Sequence, residues 1–343
     1  MKKKSKKNIG FDLGHPAHFH LFKNLIREMI SKGHTVKIHA REKDILLLLL
    51  KRTGFDYTVS ISKPKNHLLI AFIKQLYSYF LFAKKNKFNL HIGTSIAIGI
   101  ISRFTKGTSY GFAEDDFKVS YYQHLLGYTF CHKFFKPINF EFEKKRKSIL
   151  YPSYHELAYL HPNNFTPDIN FVKLYNLSQK KYIIIRLSAL KAHHDKGAKG
   201  ISIDLLSKIK SLLNAYNIIE SQELKKQYQI KPWEMHHILA YAKMIISDSQ
   251  TMTIEGAVLG VPAIRINTFI DKSSLIGELE KKYKLAYGFY PDDEKKILNT
   301  VKHIAEDKEV DKLWQERRQN MLKDKIDLNQ WMVDYFENEI NNS

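Results

Sequence analysis

Short apolar runs alternate with stretches of helical periodicity along most of the chain. Ile9–Leu13 reads as a buried strand and ends at Gly14–His15–Pro16–Ala17–His18. From about Ala17 to Ser31, Phe19, Phe22, Leu25, Ile26, Met29 and Ile30 recur at helical spacing, and Gly33 closes the helix. His34–Ala40 alternates as a second strand, Glu42–Arg52 is helical up to Gly54, and Tyr57–Ile61 is a third strand. The rhythm continues through a Leu68–Lys84 helix, a Phe88–Ile92 strand ending at Gly93–Thr94–Ser95, and an Ile96–Phe104 helix. Thr108–Phe112 is the next strand, followed by Ala113–Glu114–Asp115–Asp116, a Val119–Leu126 helix and a last strand at Cys131–Phe135.

Between Lys136 and Lys181, Pro137, Pro152, Pro162 and Pro167 break the pattern. It restarts at the Lys181–Leu187 strand, with helices near Ile201–Tyr216 and Trp233–Ala242, a strand at Met244–Ile246, a Thr251–Leu259 helix and an Ala263–Ile266 strand. Asp292–Glu306 and Asp311–Glu337 read as helices. Repeated β-α-β order predicts an α/β fold of two doubly wound, Rossmann-like domains facing across a cleft. The expected limits are 8–150 for the first domain, 151–180 for a linker, 181–325 for the second domain and 326–343 for a C-terminal helix crossing back to the first. Ligands of such sheets bind beyond the carboxyl ends of the strands. The segments following predicted strands, Gly14–His18, Gly93–Ser95, Ala113–Asp116, Arg186–His194 and Ser247–Thr251, therefore belong on the ligand side.

A length of 343 residues suits about two domains. With 44% apolar residues, 21 Phe and 19 Tyr, the composition is that of a globular chain. The single cysteine, Cys131, excludes an intramolecular disulfide and a cysteine-based metal site. Formal net charge is +20, from 55 basic and 35 acidic side chains. That favours an anionic partner (nucleic acid, an anionic membrane face or a phosphorylated substrate) unless it only reflects a lysine-rich composition. The lysines are scattered apart from Lys2–Lys7 and Lys144–Lys147, and no nucleic-acid-binding signature occurs. Without a signal-peptide pattern, the expected location is cytoplasmic. The longest apolar-rich segment, His67–Ala83, is interrupted by Lys74 and Gln75 and is too short and polar to read as a span.

Four stretches carry candidate chemistry. In Asp12–Leu13–Gly14–His15–Pro16–Ala17–His18, His18 or His15 beside a helix N-terminus can act as a general base, or can cap and pack. Glu114–Asp115–Asp116 can supply a base, bind a sugar or a divalent cation, or cap the next helix. Arg186, at the end of an apolar strand, can clamp a diphosphate, with His193 or His194 near phosphate or sugar; a surface loop is the alternative. Ser247–Asp248–Ser249–Gln250–Thr251 is a loop of small polar residues opening a helix, whose unpaired N–H groups and dipole suit phosphate; an ordinary βα unit whose Ser/Asp loop merely caps the helix is the alternative. Glu255 lies too deep in that helix to cap it and can accept two hydroxyl hydrogen bonds, as from a ribose. His236 and His237 read as structural or solvated. P-loop, nucleophile-elbow and zincin motifs are all missing.

Ser247–Asp248–Ser249…Glu255–Gly256–Ala257–Val258–Leu259–Gly260–Val261–Pro262 resembles, without a gap, the nucleotide-sugar-binding segment of non-hydrolysing UDP-N-acetylglucosamine 2-epimerases. The wider set, Asp12…Gly14–His18, Pro152–Ser153–Tyr154–His155–Glu156, Arg186…His193 and Ser247–Ser249…Thr251–Met252, resembles an uncharacterised family of bacterial and archaeal glycosyltransferase-like proteins of GT-B architecture. The resemblance implies that Glu255 holds the ribose of a uridine nucleotide and that Ser249–Thr251 meets the diphosphate. Gly14–His18 is similar to the first loop of MurG-like, lipid-acceptor glycosyltransferases, where a histidine is the proposed base. Two departures stand out. Gln250–Thr251 replaces a Gly-Gly pair of the epimerases, and Gly111–Phe112–Ala113–Glu114–Asp115 stands where they carry histidine–valine–glutamate–alanine–glycine.

These readings lead to a glycosyltransferase-like enzyme with a nucleotide-sugar donor, UDP-linked by expectation, serving cell-surface polysaccharide or glycolipid synthesis. No metal or other cofactor is expected. His18, His15, Glu114 or Asp115 would deprotonate a glycan or lipid-linked acceptor. Arg186, His193, Ser247, Asp248, Ser249, Gln250, Thr251 and Glu255 would hold the donor. Peripheral contact with an anionic membrane, at its inner face, fits the charge and the His67–Ala83 segment, although that segment reads rather as a half-buried core helix. A UDP-sugar 2-epimerase and a non-enzymatic nucleotide or nucleic-acid binder are the alternatives.

Overall fold

A computed structural model describes residues 6–61, 68–114, 116, 121–140, 146–187, 200–222, 228–270 and 273–342. The chain divides into two compact units, Met1–Tyr159 with Ile326–Ser343, and Leu160–Lys325.

The first unit runs β1 (Asn8–Leu13), α1 (Pro16–Ser31), β2 (Thr35–Ala40), α2 (Leu46–Thr53), β3 (Tyr57–Val59), α3 (Leu68–Asn86), β4 (Leu90–Gly93), α4 (Ile96–Thr105) and β5 (Thr108–Phe112). It continues through α5 (Tyr121–Phe130), β6 (Lys133–Pro137), β7 (Ser148–Tyr151) and α6 (Leu157–Leu160), whose last residue falls in the second unit. The second unit holds α7 (Ile169–Leu174), β8 (Tyr182–Leu187), α8 (Ile203–Leu212), β9 (Asn217–Gln222), α9 (Met235–Ala240), β10 (Ile245–Ser247) and α10 (Gln250–Val258). It closes with β11 (Ala263–Ile266), α11 (Ser274–Lys281), β12 (Ala286–Phe289), α12 (Glu294–Glu306) and α13 (Val310–Asp324); α14 (Leu328–Asn341) belongs to the first unit.

Both sheets are parallel. The first has strand order β3-β2-β1-β4-β5-β6-β7 and the second β12-β11-β10-β8-β9. Each is an open, doubly wound, Rossmann-like sheet, in line with the expected α/β class. Strands covered on both faces read as continuous apolar runs, and Ile183, Ile184, Ile185, Ile245 and Ile246 are fully buried. The connections reverse direction between β1 and β4 in the first sheet and between β8 and β10 in the second. At such a switch point the loops at the carboxyl ends of two adjacent strands part and leave a crevice.

The structure corrects several expected elements. The last strand of the first sheet is β7, inside the proline-rich stretch, and β6 begins two residues later than Cys131. Asp311–Glu337 is two helices: Lys325 adopts an extended backbone, and Asp327 caps α14 by accepting from the Gln330 N–H at 3.2 Å. α14 then packs on the first sheet, with Phe336 and Tyr335 edge-on to Tyr110 and Trp331 edge-on to Phe135.

Candidate functional site

At the first switch point Asp12, next to last in β1, is in register with His39 of β2 and Gly93 of β4. A Cβ on Gly93 would lie 2.7 Å from the Asp12 carbonyl oxygen, so glycine lets the two strands approach here. Asp12 and His39 are fully buried, and Asp12 Oδ1 lies 2.6 Å from His39 Nδ1. Burial pushes the Asp12 carboxyl up, but the His39 hydrogen bond and charge, with Arg41, bring it below the usual carboxylate range.

The loop after β1 sets the two histidines apart. His15 is the N-cap of α1, its Nδ1 accepting from the Ala17 N–H at 3.2 Å, and Pro16 opens the helix. Burial, with His18 and Lys43 nearby, pushes His15 down to about 3. His18 lies one turn in and is buried. Its Nδ1 accepts from the Gly14 N–H at 3.0 Å, so its hydrogen sits on Nε2, 2.8 Å from Glu114 Oε1. The Thr94 hydroxyl lies 3.2 Å from Nδ1 and 3.3 Å from Nε2. Glu114 is about one third exposed (35%). Burial raises its carboxyl, but the contact with His18, then Thr94 and Arg41, hold it well below the usual range.

Expected residues His18 and Glu114 are thus brought together, and His15 neighbours them with its Nδ1 committed to the helix cap. Asp115 lies outside the described residues. Three groups that were not named as candidate site residues join the cluster. Arg41 follows β2, and a Cβ on Gly14 would lie 2.7 Å from its guanidinium. Thr94 follows β4. His155, with Nε2 2.7 Å from the Tyr151 hydroxyl, is pushed down to about 4 by burial and by His18, against the opposing pull of Glu114. His155 stands in the Pro152–Glu156 stretch that carries part of the resemblance, but its neighbours His18 and Glu114 are distant in sequence.

At the second switch point, Ser247 of β10 is in register with Arg186 of β8 and Arg265 of β11. Ser247 Oγ accepts from the Ser249 N–H at 2.9 Å, and Asn267 Nδ2 donates to the Asp248 carbonyl at 2.9 Å. These bonds hold the turn in shape. Ser249 is the N-cap of α10 with an extended backbone and makes no side-chain cap hydrogen bond. Instead the Thr253 hydroxyl donates to the Ser249 carbonyl at 2.7 Å. The backbone amides of Gln250, Thr251 and Met252 open the helix, and no acidic side chain lies in that first turn. Such a terminus favours an anion. The Gln250 side chain reaches sideways to Ser273 Oγ at 3.1 Å.

Glu255 is buried within α10, its Oε1 3.0 Å from Nε2 of His236 on α9. That contact fixes the orientation of the carboxylate. His236 is therefore part of the candidate site, whereas His237 stacks on Phe171 and accepts from the Asp168 N–H at 3.0 Å. Arg186 Nη1 donates to Ser221 Oγ of β9 at 2.8 Å. His193 lies outside the described residues. Arg265, fully buried, serves the fold: Nη2 bonds Glu280 Oε1 at 3.0 Å and the Ile270 carbonyl at 2.9 Å. Among the described residues no cluster of three or more His, Cys, Asp or Glu is placed to hold a metal ion.

Two doubly wound units with these switch points define the GT-B class of fold. No protein-family model and no curated protein matches the sequence. Solved structures do match in fold. Spinosyn forosaminyltransferase SpnP aligns with a TM-score of 0.66 at 14% identity, over 98% of this chain and 100% of its own. The S. aureus MnaA–UDP structure gives 0.66 at 12%, over 98% and 97%. The UDP-GlcNAc 2-epimerase of Methanocaldococcus jannaschii, with UDP-GlcNAc and UDP, gives 0.63 at 14%, over 88% and 93%. The fold is therefore shared by glycosyltransferases and UDP-GlcNAc 2-epimerases.

Proposed function

We propose that this chain is a glycosyltransferase using a nucleotide-sugar donor, UDP-linked in its preferred form. The carrying observation is the α10 terminus: a helix N-terminus with no acid in its first turn, at the β8/β10 switch point, on the same helix as a buried, oriented carboxylate, Glu255. In this reading the Gln250–Met252 amides bind the diphosphate and the helix dipole, with Arg186, stabilises the departing charge. Glu255, held by His236, accepts the ribose hydroxyls. Solved neighbours that contain UDP or UDP-GlcNAc support the donor class.

The first unit supplies the acid/base group. His18 and Glu114 act as one pair, because Nδ1 of His18 is held by Gly14 and Nε2 faces the carboxylate. Within the pair the Glu114 carboxylate, oriented by His18, takes the proton of an acceptor hydroxyl. His15 is assigned to the helix cap. Calorimetric or thermal-shift titration with UDP, UDP-sugars and other nucleotides tests the donor site. Stabilisation by a uridine nucleotide, weakened about tenfold or more in Glu255→Ala, is expected. No response to any nucleotide would overturn the reading at its first step. Epimerisation is the second reading, favoured by the M. jannaschii neighbour. Incubation with UDP-N-acetylglucosamine alone separates the two, since an epimer formed without acceptor would replace transfer with epimerisation.

A further inference from the structure

α3 is the least ordinary helix of the first unit. Its inner side packs into the core through Tyr79, Phe82 and Ala83, all buried. A helix with one face in the core ordinarily turns charged residues outward. Here the outward side is apolar. Leu69 (70% exposed), Ile70 (50%), Ile73 (55%), Tyr77 (56%) and Leu81 (45%) stand open. At about 100° per residue these five lie within one arc of roughly 120°. Lys74, Lys84 and Lys85 are exposed along the same side, and Leu68–Asn86 contains no acidic residue. No helix among the described residues is long and apolar enough to cross a membrane.

We infer that α3 is an interfacial helix that lays this face into the headgroup region of an anionic bilayer. The occupant follows from charge as well as from apolarity. A protein partner for a purely apolar stripe would need no cationic rim. Three lysines with no acid on the helix, on a chain of net charge +20, are complementary to acidic headgroups. The long lysine stems let the ammonium groups rise to the phosphates while the apolar side chains enter the acyl boundary. The inference stands apart from the nucleotide-sugar reading, because it uses none of the switch-point residues.

Vesicle flotation of the full chain tests it, using phosphatidylcholine vesicles with and without phosphatidylglycerol. The wild type should float with the anionic vesicles and lose binding as salt is raised. Ile73→Ser with Tyr77→Ser should reduce partitioning roughly tenfold or more, since half-open apolar side chains then no longer enter the bilayer. Lys74→Ala, Lys84→Ala and Lys85→Ala together should abolish the preference for phosphatidylglycerol while leaving the thermal unfolding profile unchanged. Wild-type protein that stays unbound with both vesicle types would overturn the inference. So would variants that float as well as wild type, or a wild-type dimer that the Ile73/Tyr77 variant converts to monomer without any vesicle binding.

Discussion

The His18–Glu114 contact couples two residues nearly a hundred positions apart, and its geometry fixes how each behaves. His18→Ala removes the donor that orients Glu114, and Glu114→Gln removes the negative charge. Either change should lower kcat by about 10²–10⁴-fold with a much smaller change in donor affinity, measured by steady-state transfer and by nucleotide titration. The buried histidines of the first unit add a pH signature. His91 is fully buried between the Tyr79 hydroxyl, 2.9 Å away, and the Thr105 hydroxyl, 3.3 Å away, and burial lowers it from 6.5 to about 4. A depressed histidine takes up its proton in the unfolded chain first. Its contribution to stability is therefore whole above pH 6.5 and is lost as pH falls towards 4. His155, also at about 4, acts in the same sense. Thermal melts should drop steadily across that window, and His91→Gln should flatten the slope by about one proton.

Among elements, α14 shows how a first unit can depend on a distant stretch of chain. Phe336 is fully buried against Tyr110 and Phe135, His34 Nε2 lies 3.0 Å from Glu337 Oε1, and the Tyr110 hydroxyl donates to Glu339 Oε2 at 2.8 Å. Phe336→Ala should cost about 3–5 kcal/mol in denaturant unfolding of the first unit. The sequence predicts a C-terminal helix over 326–343, but Asp311–Glu337 reads in it without a break. The break at Lys325–Asp327 rests on one capping carboxylate, and an aspartate inside a long charged helix looks the same in sequence. β9 and β12 escaped notice for a related reason: Asn217–Gln222 mixes polar and apolar positions, and Ala286–Phe289 is only four residues long. Strands such as Ile9–Leu13 and Tyr182–Leu187 were clear because burial on both faces leaves a continuous apolar run.

Across the whole molecule, the β-α-β rhythm foretold two parallel, doubly wound sheets, and with them the carboxyl-end loops that carry the candidate groups. Strand order was not legible, so the partners that order creates were not either. Arg41 reaches Gly14 because β2 lies beside β1, and Thr94 reaches His18 because β4 lies on β1's other side. His236 meets Glu255 through the packing of α9 near α10, which helical periodicity does not reveal. Charge is the whole-molecule quantity with a direct test. If the surplus of +20 served nucleic acid, oligonucleotide binding would fall steeply with salt. We expect such binding to be weak and not to compete with UDP, as read by fluorescence anisotropy.

The division of the first unit into Met1–Tyr159 and Ile326–Ser343 also has a consequence in time. A ribosome adding about 5–20 residues per second needs roughly 10–30 s to make the intervening segment. Throughout that interval the aromatic surface formed by Tyr110 and Phe135 waits uncovered for Phe336. The nascent first unit is thus a half-finished body carrying an open apolar face, a ready client for a holding chaperone until the chain returns to close it.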